Sequence, residues 1–329
     1  MKNKIAIIGA SGVVGRTLLK VLEERNLLEN DFYLYASKHS AGKKLKLGKK
    51  KIRVDELDQK IFAQKFDFAV FCTGEEVSKK YVKSFAEKGT TVIDFSSFYR
   101  KKYPLIVPEI NSDKIKGNII CNPNCSTIAG VMALYEIHKK YGLKRVIYST
   151  YQAVSGAGKK ALDDLKRNRN CKLKSFAFPI KNNLIPYIGE LKANLYTKEE
   201  NKMIFETKKI LGDANIKVTA TCVRVPIDIC HSLSINFETV KKCGAKKIAE
   251  TLKNTEGVVY QDDYPNFPMP LFVRGQQEVF VGRLREDLSQ KNAFNFFVVS
   301  DNLRKGAAQN GVQILEKLIE NKKRTEERI

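Results

Sequence analysis

The first fifteen residues constrain the fold more than any other part of this chain. Lys4-Ile5-Ala6-Ile7-Ile8 is a near-continuous apolar run that stops at Gly9-Ala10-Ser11-Gly12-Val13-Val14-Gly15, and a helix-period stretch follows through Arg25. That pattern reads as strand, glycine turn, helix. Further strand candidates at Phe32 to Ala36, Phe68 to Cys72, Thr91 to Phe95 and Asn118 to Cys121, with a helical pattern across Val77 to Glu87, repeat the alternation. Alternating strands and helices imply a parallel sheet covered on both faces, the doubly wound α/β arrangement.

The glycine turn is a phosphate-binding candidate. Gly9 permits the tight turn, Gly12 lets the backbone approach a pyrophosphate, and the helix behind them offers its N-terminus to negative charge. The spacing is GxxGxxG rather than GxGxxG, so the dinucleotide reading rests on its place between strand and helix. The second strand runs into Ala36-Ser37-Lys38-His39-Ser40-Ala41-Gly42-Lys43. An NAD-selective site usually carries an acidic residue there for the ribose hydroxyls. Hydroxyls and cations suit a ribose 2′-phosphate, so NADP is the expected cofactor and an ordinary basic loop the alternative.

At 329 residues the chain exceeds the size at which one core stops growing, and two domains are expected. A helix should run from Cys125 to about Tyr141, stopped by Gly142. Beyond it come longer alternating strands, Arg145 to Gln152, Lys217 to Val225, His231 to Glu238, Glu278 to Leu284 and Phe294 to Ser300. These suit an α+β domain with a mixed or antiparallel sheet and helices on one face. A last helix, Asn302 to about Glu320, is expected to return to the first domain, and the charged tail Asn321 to Ile329 to fray. The expected division is 1–124 with 302–329 for dinucleotide binding, and 125–301 for catalysis and dimerisation.

The net charge of +23 raises the possibility of a polyanionic partner. The lysines are scattered in pairs without interleaved aromatics, which suits a solvated surface, so nucleic acid is not the expected partner. Phosphorylated small ligands would still benefit from the field. No apolar run is long enough to span a bilayer and the N-terminus does not resemble a signal peptide, so no membrane partner and a cytoplasmic location are expected. Seven cysteines (72, 121, 125, 171, 222, 230, 243), with no CxxC pair and no histidine cluster, argue against a disulfide framework or a metal site.

Asn122-Pro123-Asn124-Cys125-Ser126-Thr127-Ile128 sets one cysteine after a Pro-containing turn at the head of a helix. Unpaired N–H groups and the helix dipole there favour thiolate, the nucleophilic form. Cysteine is also common as a small buried residue, and this segment alone leaves both readings open. Arg224 and His231 stand seven residues apart around an expected turn. Arginine can grip a carboxylate with two hydrogen bonds, and histidine can move a proton near neutral pH. A structural histidine is equally compatible with that segment. Gln152-Ala153-Val154-Ser155-Gly156-Ala157-Gly158 and Ser96-Ser97-Phe98-Tyr99-Arg100 offer amides, hydroxyls and a guanidinium to an oxyanion or acyl group, or simply cap their helices.

With the glycine turn, NPNCST, QAVSGAG and RVPIDICHS in this order, the chain resembles the aspartate-semialdehyde dehydrogenases over essentially its whole length. The resemblance implies a Rossmann-like NADP-binding domain, a catalytic and dimerisation domain, and a homodimer. It implies NADPH-dependent reduction of L-aspartyl 4-phosphate to L-aspartate 4-semialdehyde with release of inorganic phosphate, through a cysteine thioester. This step lies on the route to lysine and diaminopimelate, threonine and methionine.

Carried over by motif, Cys125 would be the nucleophile, His231 the acid/base, and Gln152 the group orienting the thioacyl intermediate. Arg224 would hold the substrate α-carboxylate and Glu200 its amino group. Arg100 and Lys202, helped by Asn124, would bind phosphate. Gly9, Ser11, Gly12, Val13, Val14, Ser37, His39, Ser40, Ser155, Gly156 and Asn310 fall at the cofactor.

Two departures stand out. His39 replaces an arginine common in the family, and Asp228-Ile229-Cys230 replaces a smaller, often Gly-containing approach to the histidine. N-acetyl-glutamyl-phosphate reductase is the nearest rival, but its cysteine is typically followed by an aromatic residue and Pro-Thr, where Ser126-Thr127 stands here. Glyceraldehyde-phosphate dehydrogenase would need a Ser-Cys-Thr-Thr-Asn setting. A cofactor-binding regulator or nucleic-acid module would explain the charge and the glycine turn and leave Cys125, Gln152, Arg224 and His231 without a role.

Overall fold

A computed structural model describes residues 2–167 and 172–327. The chain divides into two compact units, Met1–Pro123 with Ala307–Ile329, and Asn124–Gly306.

The first unit carries a seven-stranded sheet of β1 (Lys4–Ile8), β2 (Asp31–Ala36), β3 (Lys44–Leu47), β4 (Lys50–Glu56), β5 (Phe68–Phe71), β6 (Thr91–Asp94) and β7 (Ile119–Cys121). Their order is β3-β4-β2-β1-β5-β6-β7. All neighbours from β4 to β7 are parallel. Its helices are α1 (Val13–Glu24), α2 (Glu75–Glu87), α3 (Pro108–Asn111) and the C-terminal helix Gln309–Glu326. Ile5, Ile7, Leu18, Leu22, Leu34, Val70, Val312 and Leu315 close one core. Strands buried on both faces explain the unbroken apolar runs.

A hairpin that the sequence reading did not identify follows β2. After a short 3-10 turn at Lys38–Ser40, β3 and β4 form an antiparallel hairpin on the sheet edge, joined by the two-residue turn Gly48-Lys49. Gly48 takes φ +58, as such a turn demands. Lysines alternate with Leu45 and Leu47, which are buried, so charge covers the edge that would otherwise invite pairing. The C-terminal helix also differs from expectation. It begins at Gln309 after a π-helical turn, Arg304–Ala308, and continues to Glu326.

The second unit carries β8 (Leu143–Gln152), β9 (Lys217–Arg224), β10 (His231–Thr239), β11 (Val258–Tyr260), β12 (Val279–Glu286) and β13 (Ala293–Ser300), in the order β11-β12-β13-β10-β8-β9. β8 with β9 and β11 with β12 are parallel and the remaining pairs antiparallel, so the sheet is mixed. Its helices are α4 (Cys125–Tyr141), α5 (Lys159–Leu165), α6 (Lys198–Leu211), α7 (Ala245–Lys253) and α8 (Pro270–Val273). α4 lies along β8, β10, β12 and β13, while α6 packs on β9 and α4. The approach of α4 is close: a Cβ at Gly130 would stand 2.7 Å from the Tyr148 ring.

Among the described residues, no helix is long and apolar enough to cross a membrane. No disulfide joins the six described cysteines, and Cys171 lies outside the described residues.

Candidate active site

Sheet register lays three of the expected side chains in a row. On β8, alternation buries Val146, Tyr148, Thr150 and Gln152 on one face. Gln152 is level with Arg224 on β9. One residue past the registered pair Ser232 and Tyr151, His231 on β10 comes level with Gln152 from the other side. All three are at least 94% buried. A period of two therefore brings residues 152, 224 and 231 to one edge of one face.

The N-terminus of α4 meets that edge. His231 Nε2 lies 3.2 Å from Cys125 Sγ. Asn124 caps the helix, its Oδ1 accepting from the N–H groups of Ser126 and Thr127, so the thiol sits at the positive end of a capped helix. Asn124 is held in turn: its own N–H donates to buried Glu206 and its Nδ2 donates to Glu199 Oε1. Gly306 backs onto Cys125, where a Cβ would come within 3.0 Å of Cys125 Cβ.

The carboxylate hydrogen-bonded to this cluster is Glu199, while Glu200, expected here, has its oxygens on backbone N–H groups. Glu200 Oε2 accepts from the Thr197 N–H and Oε1 from the Cys222 N–H, while Thr197 Oγ1 accepts from the Glu200 N–H. Glu200 thus closes a capping box and ties α6 to β9. Glu199, one residue earlier, accepts from Asn124 and pairs with Lys202 Nζ at 2.6 Å. Burial alone would raise its pKa. Lys202, Asn124 and Arg224 outweigh that and hold it at about 2, a carboxylate in all ordinary conditions. The sequence did carry the signal, because Thr197-x-x-Glu200 is a capping-box pattern.

Ala153 joins two of the site's cationic and basic groups. Its N–H donates to His231 Nδ1 at 3.0 Å, and its carbonyl accepts from Arg224 Nη1 at 2.6 Å. Burial lowers the Arg224 pKa while Glu199 and Cys125 oppose the shift, and a guanidinium remains charged regardless. Gly156 faces these groups: a Cβ there would be 3.3 Å from Arg224 Nη1 and 3.4 Å from His231 Nε2. Gln152 Nε2 donates to Thr150 Oγ1 at 3.3 Å, a long bond that a better acceptor can replace.

Asn302 was not foreseen. Its Nδ2 donates to Ser155 Oγ and its Oδ1 accepts from the Cys230 N–H. Cys230 has φ +78, a region in which a residue with a side chain is strained. The departure noted before His231 is therefore a cysteine standing where glycine is favoured, held by Asn302.

In the first unit, Gly9 takes φ +84, and a Cβ on it would fall 2.5 Å from the Cys72 carbonyl oxygen. Gly12 caps α1 without a side-chain hydrogen bond, which leaves first-turn N–H groups for an anion. At the carboxyl ends of β1, β2 and β5 lies a cavity of about 870 Å³ lined by Gly9, Ser11, Gly12, Ser37, Thr73 and Lys79 among others. Its size, glycine rim and position suit a dinucleotide. Val13 and Val14 open α1, while His39 and Ser40 lie on the 3-10 turn after β2. Asn310 is fully buried, its Nδ2 donating to the Ile106 carbonyl and Asn122 Oδ1.

Arg100 Nη2 donates to the Phe95 carbonyl at 2.7 Å. Its loop is anchored by Asp94, which accepts from Ser78 and Ser96. Burial raises the Asp94 pKa against those bonds.

Residues 4–118 match the family described as semialdehyde dehydrogenase, NAD binding domain, and residues 134–305 the semialdehyde dehydrogenase dimerisation domain. The aspartate-semialdehyde dehydrogenase of Aquifex aeolicus is 46% identical, covering 97% of this chain and 98% of the relative. That of Bacillus subtilis is 42% identical, covering 95% and 96%. Among solved structures, aspartate semialdehyde dehydrogenase II from Vibrio cholerae, complexed with ASA, superposes with a TM-score of 0.94 at 39% identity, over 97% of this chain and 99% of that one. The Candida albicans aspartate semialdehyde dehydrogenase with NADP gives 0.75 at 26% identity, over 97% and 98%.

Proposed function

Because the chain belongs to the aspartate-semialdehyde dehydrogenase family, we propose that it reduces L-aspartyl 4-phosphate to L-aspartate 4-semialdehyde through a thioester on Cys125. The observation that carries this is Cys125 Sγ at 3.2 Å from His231 Nε2, at the capped head of α4. A Cys125 thiolate attacks the acyl carbon, the acyl C–O bond breaks, and phosphate departs. NADPH, when bound, supplies the hydride that reduces the thioester. Gln152 donates to the acyl oxygen, and His231 serves the oxygen on the carbon bound to sulfur.

Arg224 is the group for the α-carboxylate and Glu199, in place of Glu200, for the α-ammonium. Lys202, Asn124 and Arg100 serve the phosphate. Gly9, Ser11, Gly12, Val13, Val14 and Ser37 hold the cofactor, and Ser155, Gly156 and Asn310 belong to the same reading. NADP is favoured over NAD because Lys38, His39 and Ser40 follow β2 without a carboxylate. The reading also includes a homodimer, a cytoplasmic enzyme and a place in the synthesis of lysine, threonine and methionine.

The test is a burst. Given L-aspartate semialdehyde and NADP without phosphate, the protein should form one NADPH per active site and carry an acyl adduct on Cys125 by mass spectrometry. Cys125→Ala should show neither while still binding NADP. A burst in Cys125→Ala, or an adduct elsewhere, would contradict the assignment.

A further inference from the structure

We propose that Glu206 is a positioning residue for Cys125, accepting the main-chain N–H of Asn124 from α6 and thereby fixing the cap on which α4 begins. The proposal rests on the thioester reading of Cys125 and gives Glu206 no contact with the reacting atoms.

The head of α4 cannot cap itself completely. Asn124 Oδ1 accepts from the N–H groups of Ser126 and Thr127, which leaves the N–H of Asn124 itself to be satisfied. In a capping box that N–H goes to a Glu or Gln three residues on. α6 has this arrangement in Thr197 and Glu200. In α4 the third position is Thr127, and the first turn holds no acidic residue. Asn124 is buried, and a buried N–H without an acceptor is costly. Glu206, 82 residues further along the chain, supplies the acceptor: its Oε2 lies 2.7 Å from Asn124 N.

The period of α6 brings Glu206 there. Glu199, Met203, Glu206 and Ile210 follow one another at intervals of four, three and four, so they form one stripe, and all are buried. α6 packs on α4, and the stripe meets Asn124 twice, through Glu206 at the main-chain N–H and Glu199 at Nδ2. Thr207, the next residue, fixes the register. Its Oγ1 is 3.2 Å from Tyr148 Oη, and the Tyr148 ring lies against Gly130 of α4. A fully buried carboxyl group is an expensive choice for a contact between helices, which leucine would fill as well if packing were its only task.

Asn124 precedes Cys125, so the orientation of its peptide sets where Sγ leaves the backbone. With the N–H held by Glu206 and Nδ2 by Glu199, Oδ1 is aimed at the first-turn N–H groups and Sγ stands 3.2 Å from His231 Nε2. Without Glu206 the Asn124 N–H must find another acceptor, and its peptide turns with it. The cap that favours thiolate then weakens. Sγ also leaves its attacking position, where a full ångström costs about a hundredfold.

Two matched pairs test this. Glu206→Asp keeps the carboxyl group of the parent and withdraws it by one methylene. Glu206→Gln and Glu206→Met are both neutral and of similar length, and only the first offers an oxygen. Within each pair the member that reaches the Asn124 N–H should be faster. Glu206→Asp should lose about tenfold or more in kcat against the parent, and Glu206→Met as much against Glu206→Gln, with KM for aspartate semialdehyde within about threefold because Arg224 and Glu199 remain. Alkylation of Cys125 by iodoacetamide, followed at that residue by mass spectrometry from about pH 6 to about pH 10, should slow in the same order. Cys125 is only partly buried, so the reagent has access.

A purely structural role would lower the melting temperatures of Glu206→Asp and Glu206→Met and leave alkylation of the folded proteins unchanged. Equal kcat and equal alkylation within the pairs would overturn the proposal, and either pair decides alone if a variant of the other does not fold. Alkylation reads the thiol whether or not it attacks substrate. The expected order in alkylation, with Cys125→Ala still turning over, would sink the thioester reading and keep the clamp on Asn124. Equal alkylation, with Cys125→Ala inactive, would sink the clamp and keep the thioester.

Discussion

At the scale of single residues, the site separates two adjacent carboxylates by what each already touches. Glu200 spends its oxygens on backbone N–H groups of Thr197 and Cys222, and Glu199 on Asn124 and Lys202. Glu200→Gln should therefore lower stability by about 1 kcal/mol, as loss of a helix cap does, with kcat/KM within about threefold of the parent. Glu199→Gln should raise the KM for aspartate semialdehyde at least tenfold, the effect of losing a charged hydrogen bond, with a smaller change in melting temperature. Denaturation and steady-state kinetics on the two variants decide it, and the opposite pattern would restore Glu200.

That Cys125, Gln152, Arg224 and His231 belong to one cluster was legible in motif order, because each of the four motifs turns on one particular side chain. Ala153 and Asn302 were not, since they act through a main-chain N–H and through contacts between residues 72 and 147 positions apart.

At the scale of elements, strand and helix identity followed hydrophobic period. β1 and α4 were readable to the residue because glycines or a proline turn bound them. The β3–β4 hairpin was missed although Lys44-Leu45-Lys46-Leu47 alternates cleanly, because its lysines were read as part of a scattered, solvated surface charge. α6 was missed because its apolar face is sparse and buries Glu199, Glu200 and Glu206 alongside Met203 and Ile210. The π-helical turn at Arg304–Ala308 is where element geometry reaches Cys125, through Gly306. Gly306→Ala would press its Cβ to 3.0 Å from Cys125 Cβ. A shift of a few tenths of an ångström should cost about tenfold in kcat, against about a hundredfold for a full ångström, with destabilisation of about 1 kcal/mol. Unchanged kcat would mean the turn yields instead of Cys125.

At the scale of the whole molecule, burial makes stability depend on pH with a definite sign. His231 has a pKa of about 3 in the fold against an ordinary 6.5, so between those values the unfolded chain binds a proton the native state refuses. Its contribution is complete above pH 6.5 and is lost as pH falls toward 3. Glu199, at about 2 against 4.5, acts in the same sense at lower pH, and His138, lowered by burial, adds to the upper window. Denaturant unfolding from pH 7 to 5 should lose stability with a slope of up to about 1.4 kcal/mol per pH unit for each such proton, and His231→Gln should flatten it. An equal slope in the variant would mean that His231 titrates normally.

Each of the two units carries its own sequence signature, the glycine turn in Met1–Pro123 and the NPNCST segment around Cys125 at the start of Asn124–Gly306. The net charge of +23 adds a field favourable to anionic substrates over that whole surface. The most direct test of the proposed reaction is steady-state NADPH formation from L-aspartate semialdehyde and NADP, with and without inorganic phosphate. Sustained turnover should appear only with phosphate present. Sustained turnover without phosphate, or none with it, would contradict that reaction.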